Sequence, residues 1–582
     1  MTEHNAQLPF KSLANAEVYP KPAYWIGVVG LVLILAGAAL AYMVRTSDGI
    51  SVSDIRFKGQ GGTAMSALLY VPQGASPESL APGILAVHGY INSREMQDGF
   101  AIEFARRGYV VLSIDQTGHG YSGGLAFSNG FGGPDGLRHL RSLPMVDKNQ
   151  IGLEGHSMGG WAVLAAAAAM PDAYQSMVLE GSSTGAPFAQ EGSETWPRNL
   201  AMVFSRYDEF SELMWGVDRA LDTPNSPKLQ SLFGTSSRVI EGKIYGSIEQ
   251  GTARVLHQPN TTHPGDHLSR DAIGRATDWF ADTLKGGTAR ASSDQIWYWK
   301  EFGTGIGLIG FIMLILSTFD ALVRLPLFQS LRKSPSLQGN TRDRKWWRIF
   351  LVNSILPALV FFPAFIAASL LVPASRWLPQ SITTQVAAWA LLSAALTLLI
   401  GRWSKPTAIV DAPKWLLCLL IAAATVSIGY LSLVFVDLVF STDFRFWVVA
   451  VKLPSLRHLG IAAIYIVPIT AAFLISLKPL CTQMIVDADS NSRRYTMAII
   501  TMTLGFVILL GIIYGNFFAT GSLITSFDPL STVIALQFVP LLTAIAIITI
   551  FCWRRTGSHT TGALIVAPLV TLYVVAGTAT QV

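Results

Sequence analysis

One serine of this sequence has the neighbours of an enzymatic nucleophile. The segment GHSMG (155–159) follows the apolar run IGLEG and precedes the alanine-rich run WAVLAAAAA. This G-x-S-x-G pattern predicts a tight turn between a strand and a helix, because glycines leave room where a strained backbone crowds its neighbours. The turn would expose the Ser157 hydroxyl at the start of the helix, where free N–H groups favour a developing negative charge. The chemistry indicated is nucleophilic attack on a carbonyl.

Two polar segments upstream also follow apolar runs. The run GILAV leads into HGY (88–90), and YVVLSI leads into DQTGHGYS (115–122). We interpret the second segment as a structural turn that Asp115 and the glycines shape. His119 is interpreted as a residue that stabilises this loop, not as a catalytic base.

On these three segments, roughly residues 50–285 resemble the α/β-hydrolase superfamily. The resemblance is to its serine-hydrolase branch, which contains dienelactone-hydrolase-like and serine-aminopeptidase-like enzymes, and it does not extend to the later apolar segments. It implies the α/β-hydrolase fold, a mostly parallel sheet with helices on both faces, and a Ser–acid–His order along the chain. It also implies that the backbone N–H groups of Tyr90 and Met158 form the oxyanion hole.

The acid that the resemblance implies lies just beyond a strand that follows Ser157. Asp208 comes directly after the run LAMVFSRY and is the best match. Glu209 is the reserve.

The base is expected after the last strand, where residues 253–267 offer three histidines. His257 lies within the strand pattern and is interpreted as a packed core histidine. His263 lies in a short polar turn beyond the strand, as the resemblance implies for the base. His267, closer to the following helix, is the reserve.

The expected mechanism is acyl transfer through a covalent serine intermediate. His263 would take the proton of Ser157 as the hydroxyl attacks, and Asp208 would orient and stabilise the imidazolium. Water would then release the acyl group. This chemistry needs no metal and no organic cofactor, and the partner molecule would be a small-molecule or lipid acyl substrate.

The elements that must position these residues are predicted within residues 46–300. Seven short apolar runs alternate with helical patterns there, which predicts a parallel sheet covered on both faces. The runs lie at 66–71, 83–87, 109–114, 151–155, 176–181, 200–205 and 253–258. Fewer than 20 residues separate the fifth run from the sixth, so no large cap is expected between them. Amphipathic segments within 210–250 could form a lid that lines an acyl site, but simple packing is the preferred interpretation.

The remainder of the chain is too apolar for an ordinary soluble protein. Of 582 residues, 51% are hydrophobic and only 14% are charged. Residues 303–582 contain 19 Lys/Arg and 8 Asp/Glu, a net charge of +11, whereas residues 1–302 carry −6. The positive charges lie in short clusters between apolar runs, which is typical of membrane topology and excludes a nucleic-acid surface. The unpaired spacing of the cysteines predicts neither a disulfide framework nor a zinc site: Cys418, Cys481 and Cys552.

Nine segments are long and apolar enough to cross the roughly 30 Å of a membrane's hydrocarbon core. Residues 25–44 form the first, interpreted as an uncleaved signal anchor that follows a cytoplasmic tail of residues 1–24. Residues 303–582 are expected to form an all-α transmembrane bundle of eight spans. These lie near 303–323, 349–373, 383–401, 415–437, 458–477, 496–518, 530–552 and 562–580.

The basic residues predict the orientation of the spans. One alternate set of loops contains fifteen Lys/Arg and the other set four. Because basic loops stay in the cytoplasm, residues 46–300 are expected outside the cytoplasm, in a multi-pass protein of the plasma (inner) membrane. Asp320 and Asp437 lie near span ends and are interpreted as interfacial, with Arg324 four residues beyond Asp320 as an ion-pair partner.

The leading functional hypothesis is a membrane-anchored serine hydrolase of the esterase, lipase or peptidase type. An alternative keeps the same site in an acyltransferase with a lipid or glycan acceptor, since nine spans exceed what anchoring requires. A further alternative is a transporter or scaffold whose hydrolase-like domain only binds.

Overall fold

The computed structural model describes residues 19–335, 340–401 and 413–582. Residues 1–18 of the predicted tail, and Arg402 and Lys405 of a predicted basic loop, lie outside these ranges. Within them, a domain built on a mostly parallel sheet adjoins a bundle of long apolar helices, which confirms the predicted fold class.

Eight strands form the main sheet, in the order β1-β2-β4-β3-β5-β6-β7-β8. Strands β3 to β8 are parallel, while β2 is antiparallel to both of its neighbours. All seven predicted strands are present, and the unpredicted β1 is a mostly exposed edge strand whose polar residues gave no clear strand pattern. The strands are β1 Ser51–Lys58, β2 Ala64–Val71, β3 Ala81–Val87, β4 Val110–Ile114, β5 Val146–His156, β6 Ser176–Glu180, β7 Leu200–Val203 and β8 Arg254–His257.

Helices cover both faces of this sheet. One face packs against α3 and α4, whose Leu137 and Val163 belong to a shared apolar core with β3 and β5. The opposite face packs against α2 and α7 through residues such as Phe104 and Phe280. The helices of the domain are α2 Asp98–Arg106, α3 Gly133–Ser142, α4 Met158–Ala169, α5 Ser211–Trp215, α6 Pro227–Leu232 and α7 Arg270–Thr283.

The described part of the apolar bundle contains eight helices that are long and apolar enough to cross a membrane, or nine spans if one bent pair counts as a span. A short hairpin of β9 Phe444–Phe446 and β10 Val449–Val451 lies between α12 and α13. The helices are α1 Tyr24–Arg45, α8 Trp297–Leu322, α9 Arg344–Leu359, α10 Phe361–Leu371, α11 Ser381–Gly401, α12 Trp415–Phe440, α13 Leu456–Thr482, α14 Asn491–Thr520, α15 Pro529–Thr556 and α16 Thr560–Gly577.

The predicted span near 349–373 is bent. It consists of α9 and α10, which meet at an angle of 42°. Pro363 explains the break, because proline has no N–H to donate to the carbonyl of residue 359 and its ring clashes with that carbonyl.

A buried ionic cluster joins the two bodies of the protein. The Asp98 carboxylate, at the start of α2, lies 2.9 Å from Lys300 Nζ and 3.6 Å from Arg45 Nε. The Tyr70 hydroxyl donates to Asp98 Oδ1 at 2.6 Å. Arg45 ends α1 and Lys300 lies near the start of α8, so the first two membrane helices are both fixed to the domain. Removing one partner of such a buried pair typically costs about 3–5 kcal/mol.

The opposite end of the bundle contains the described basic loops. The predicted Asp320–Arg324 pair is confirmed, with 3.1 Å between Asp320 Oδ1 and Arg324 Nη2. Asp320 is also fully buried within the protein, where Arg555 and the backbone N–H of Ala23 bind it. Arg342 and Asp489 form a further ion pair at 2.6 Å.

Helices α1 and α8 approach each other closely along a line of glycines. A Cβ atom at Gly37 would lie 2.3 Å from the carbonyl oxygen of Gly303, and one at Gly310 would lie 2.6 Å from that of Gly30. Small residues that let two backbones meet are a common basis of helix association in membranes.

We expect Gly37→Ala to lower the melting temperature of the detergent-purified protein. Overpacking costs about 1–3 kcal/mol, which exceeds the gain in helix propensity of up to about 1 kcal/mol for Ala over Gly. The matched control is Gly460→Ala on α13, where a new Cβ meets nothing within 4 Å. The control should melt at or above the wild-type temperature, and equal melting of both variants would contradict the close packing.

Candidate functional site

Ser157 lies in a strained turn between β5 and α4. Its backbone has φ 56° and ψ −124°, a conformation that costs a non-glycine residue about 1–3 kcal/mol. Larger residues would clash at both flanking glycines. A Cβ at Gly155 would lie 2.3 Å from the Gly159 carbonyl oxygen, and a Cβ at Gly159 would lie 2.0 Å from the Val87 carbonyl oxygen. The predicted strand–turn–helix arrangement is therefore present, with Ser157 immediately before the first turn of α4.

Asp208 and His263 form a buried pair next to this turn. His263 Nδ1 lies 2.8 Å from Asp208 Oδ2, while Asp208 Oδ1 accepts the backbone N–H of Phe210 at 2.8 Å. Burial lowers the pKa of His263 to about 4. The imidazole is therefore neutral near pH 7, the state in which it can accept a proton.

Glu209 contacts the backbone of His263 and not its ring. Glu209 Oε2 accepts the His263 N–H at 2.8 Å, and Oε1 accepts the hydroxyl of Tyr514 from α14 at 2.8 Å. Burial and the neighbouring Asp208 raise the pKa of Glu209 to about 8. This carboxyl group thus connects a membrane helix to the loop that carries His263.

The other histidines have different surroundings. His267 is buried, with its ring centroid 4.1 Å from that of His156, and neither of its ring nitrogens has a hydrogen-bond partner among the described residues. His257 is partly exposed on β8, so its interpretation as a packed core residue is wrong, because β8 is the edge strand of the sheet. His119 Nδ1 donates to the Thr117 carbonyl within its loop, at 3.0 Å, as expected of a loop-stabilising residue.

The HGY segment abuts Ser157. A Cβ at Gly89 would lie 3.0 Å from the Cβ of Ser157. Met158 is the first residue of α4, so its N–H has no acceptor within the helix. Tyr90 and Met158 line the same cavity as Ser157.

This cavity has a volume of about 340 Å³ and is bounded by both bodies of the protein. His263 and His267 also face it. Phe210, Leu213 and Met214 line it as well, so the preferred interpretation of the 210–250 segment as simple packing is wrong for its first turn. Trp215 does pack in the core, as do Leu229 and Leu232 of α6.

Part of the cavity wall was not predicted from the sequence. Phe527, Leu530 and Val533, at the start of α15, line the cavity from the bundle side. Gly181, which follows β6 with φ 52°, is also close to the site, because a Cβ there would lie 2.8 Å from His263 Nδ1. The position of Gly181 at the end of a strand could have indicated that its backbone lies close to another residue. The apolar sequence of α15, in contrast, contains no feature that distinguishes a cavity wall from an ordinary membrane helix.

Part of the domain is similar to known hydrolases. Residues 81–208 match the family model described as "Serine aminopeptidase, S33". A monoacylglycerol lipase of Mycolicibacterium smegmatis is 28% identical over 146 residues, which are 23% of this chain and 48% of the lipase. The chain thus spans about half the length of this curated relative.

Solved structures of α/β hydrolases are also similar to part of the chain. An esterase from Pyrococcus furiosus is 16% identical with a TM-score of 0.30, covering 41% of this chain and 92% of the esterase. A dienelactone hydrolase from Anabaena variabilis is 20% identical with a TM-score of 0.27, covering 40% of this chain and 99% of the hydrolase.

The family match and the strand order identify the sheet-containing part of this chain as an α/β-hydrolase domain. The resemblance seen in the sequence is thereby confirmed. The domain is fused to a bundle of membrane-type helices.

The contact between Glu209 and Tyr514 leads to a prediction. Tyr514→Phe should lower kcat about tenfold, with little change in KM, for a reaction that uses His263, because one lost hydrogen bond of about 1–1.5 kcal/mol loosens the His263 loop. Steady-state kinetics on purified variants measures this. The control is Tyr207→Phe, which loses a hydroxyl that bonds nothing in the described part of the chain; equal kcat values in both variants would contradict the coupling.

Proposed function

We propose that the protein is an integral-membrane serine hydrolase that cleaves carboxylic esters. The observation that carries the proposal is the convergence of a strained, cavity-facing Ser157 and a neutral imidazole paired with a buried carboxyl group at 2.8 Å. The family match and the similarity to a lipase support this reaction class.

In the proposed mechanism, Ser157 is the nucleophile. Its Oγ attacks the ester carbonyl while His263 Nε2 takes the hydroxyl proton, and Asp208 holds Nδ1 and stabilises the imidazolium. The N–H groups of Tyr90 and Met158 donate to the tetrahedral oxyanion. His263 then protonates the departing alcohol, and water repeats the sequence to release the acid.

In this proposal, Glu209 is not the catalytic acid and His267 is not the catalytic base. Glu209 already binds the His263 backbone and Tyr514, which supports a positioning role. His267 has no carboxylate within hydrogen-bond distance among the described residues, so it lacks the orienting partner of His263.

We further propose that the hydrolase domain lies outside the cytoplasm at the plasma membrane. The support is the distribution of basic residues, since the described basic loops lie at the end of the bundle remote from the domain.

The assignment of the nucleophile can be tested with a fluorophosphonate probe. The wild-type protein should be labelled, and Ser157→Ala should lose both labelling and ester turnover, since no other group in the proposed mechanism forms the covalent bond. Ser142→Ala, at the end of α3, is the matched serine control and should be labelled like the wild type. Full labelling of Ser157→Ala would contradict the assignment of Ser157 as the nucleophile.

The proposed orientation can be tested by cysteine accessibility in intact cells. The native cysteines are buried, so background labelling by a membrane-impermeant maleimide should be low. Cysteine at Asp172, which is 88% exposed on the domain, should be labelled. Cysteine at Arg493, 61% exposed at the other end of the bundle, should react only after the cells are opened, and the reverse pattern would overturn the orientation.

A further inference from the structure

A second, smaller cavity lies beside the site, between helices of the bundle. It has a volume of about 60 Å³ and shares part of its wall with the first cavity. The shared residues are Ile91, Asn92, Val448 and Gln537. The two spaces are therefore adjacent along a common wall, and the first also contains Ser157.

Three membrane helices enclose the second cavity. Ile382 and Val386 come from the first two turns of α11, Val574 and Gly577 from the end of α16, and Phe538 and Leu541 from α15. Leu541 lies twelve residues beyond the start of α15, which is about 18 Å along the helix axis at 1.5 Å per residue.

The charged residues of this cavity lie at the end nearest the domain. Arg445 belongs to β9 and Lys452 follows β10, and Arg445 is paired with Asp443 and Glu95. The deeper wall is mostly apolar, with residues such as Val386 and Leu541, and its Tyr573 hydroxyl is hydrogen-bonded to Gln537. A water molecule needs two to four polar partners to be stable in a cavity, so this deeper part suits hydrocarbon better than water.

The rim of the first cavity also favours an apolar ligand. Phe527 is 66% exposed, and Phe188 and Leu213 are each 48% exposed. Phe527 lies immediately before α15, where the bundle meets the domain. Large apolar side chains that remain exposed around a cavity mark a binding surface.

We propose that the substrate is a lipid ester with a long acyl chain, and that the chain extends from Ser157 into the cavity between α11, α15 and α16. The proposal rests on the serine-hydrolase function proposed above and names its substrate class. The ester carbonyl occupies the first cavity, and the end of the acyl chain occupies the second. The membrane bundle therefore sets the acyl-chain length that the site accepts.

Gly577 is a position from which a larger side chain would occupy space of the second cavity. It lines the cavity, and a Cβ there would meet nothing within 4 Å. A phenylalanine at this position would therefore project into the open space. Gly511 on α14 is the matched control, because its Cβ would also meet nothing within 4 Å while it lines neither cavity.

The experiment compares kcat/KM for p-nitrophenyl esters from butanoyl to hexadecanoyl in detergent micelles at constant mole fraction. In the full-length wild-type protein, kcat/KM should rise roughly fourfold for each methylene that becomes buried, and continue to rise beyond octanoyl. Gly577→Phe should lower the ratio of dodecanoyl to butanoyl kcat/KM at least tenfold. Gly511→Phe should keep the wild-type ratio.

Two results would overturn the proposed chain path: a wild-type profile that falls beyond octanoyl, or a Gly577→Phe ratio equal to that of the wild type. The wild-type profile does not depend on how well any variant folds. If no ester is cleaved and no fluorophosphonate labels Ser157, the serine-hydrolase function fails and the chain path fails with it. If esters are cleaved without any preference for acyl-chain length, the proposed path of the acyl chain is wrong, but the serine-hydrolase function is not contradicted.

Discussion

The carboxyl edge of the parallel sheet is docked against one end of the membrane bundle, and the geometry of the site depends on this contact. Every loop that carries a site residue leaves the sheet on this side. Trp447 Nε1 donates to the Pro264 carbonyl at 2.6 Å, Gln581 Nε2 to the Tyr90 hydroxyl at 3.1 Å, and the Tyr514 hydroxyl to Glu209 at 2.8 Å. The loops thus contact the bundle directly, and Asp98, paired with Arg45 and Lys300, joins the domain to the bundle as well.

This docking also determines the solvent environment of the reacting groups. With the bundle covering the edge of the sheet, Asp208 is fully buried and His263 is 5% exposed. Burial favours the neutral form of an imidazole, and the same low dielectric strengthens the hydrogen bonds that orient it. A free-standing domain of this fold would leave these loops to solvent or to a cap of its own. Here residues of the bundle cover the site, and the connection between β6 and β7 is short.

The parts of the fold that were predictable are those governed by local patterns. The parallel strands are buried on both faces, so each appears in the sequence as a short run of apolar residues. Each membrane-type helix appears as a long run of apolar residues. β1 was missed because its exposed edge position imposes no apolar pattern, and the bend between α9 and α10 was missed because prolines are frequent in unbent spans too. The resemblance to the α/β-hydrolase superfamily implied Asp208 as the acid and His263 as the base, and both residues follow strands, which end at the same edge of a parallel sheet.

Residues near one another in the chain encode the strained serine turn, the alternation of strands and helices and the division into two bodies, so these features follow from local sequence. Long-range contacts instead establish that Glu209 binds the backbone of His263 and not its ring, that His267 lacks a carboxylate partner among the described residues, and that α15 forms a wall of the cavity. These outcomes depend on how the domain sits on the bundle. Contacts such as that between Glu209 and Tyr514, 305 residues apart, leave no periodic or local trace in the sequence, because many different pairings would satisfy the same apolar and polar pattern.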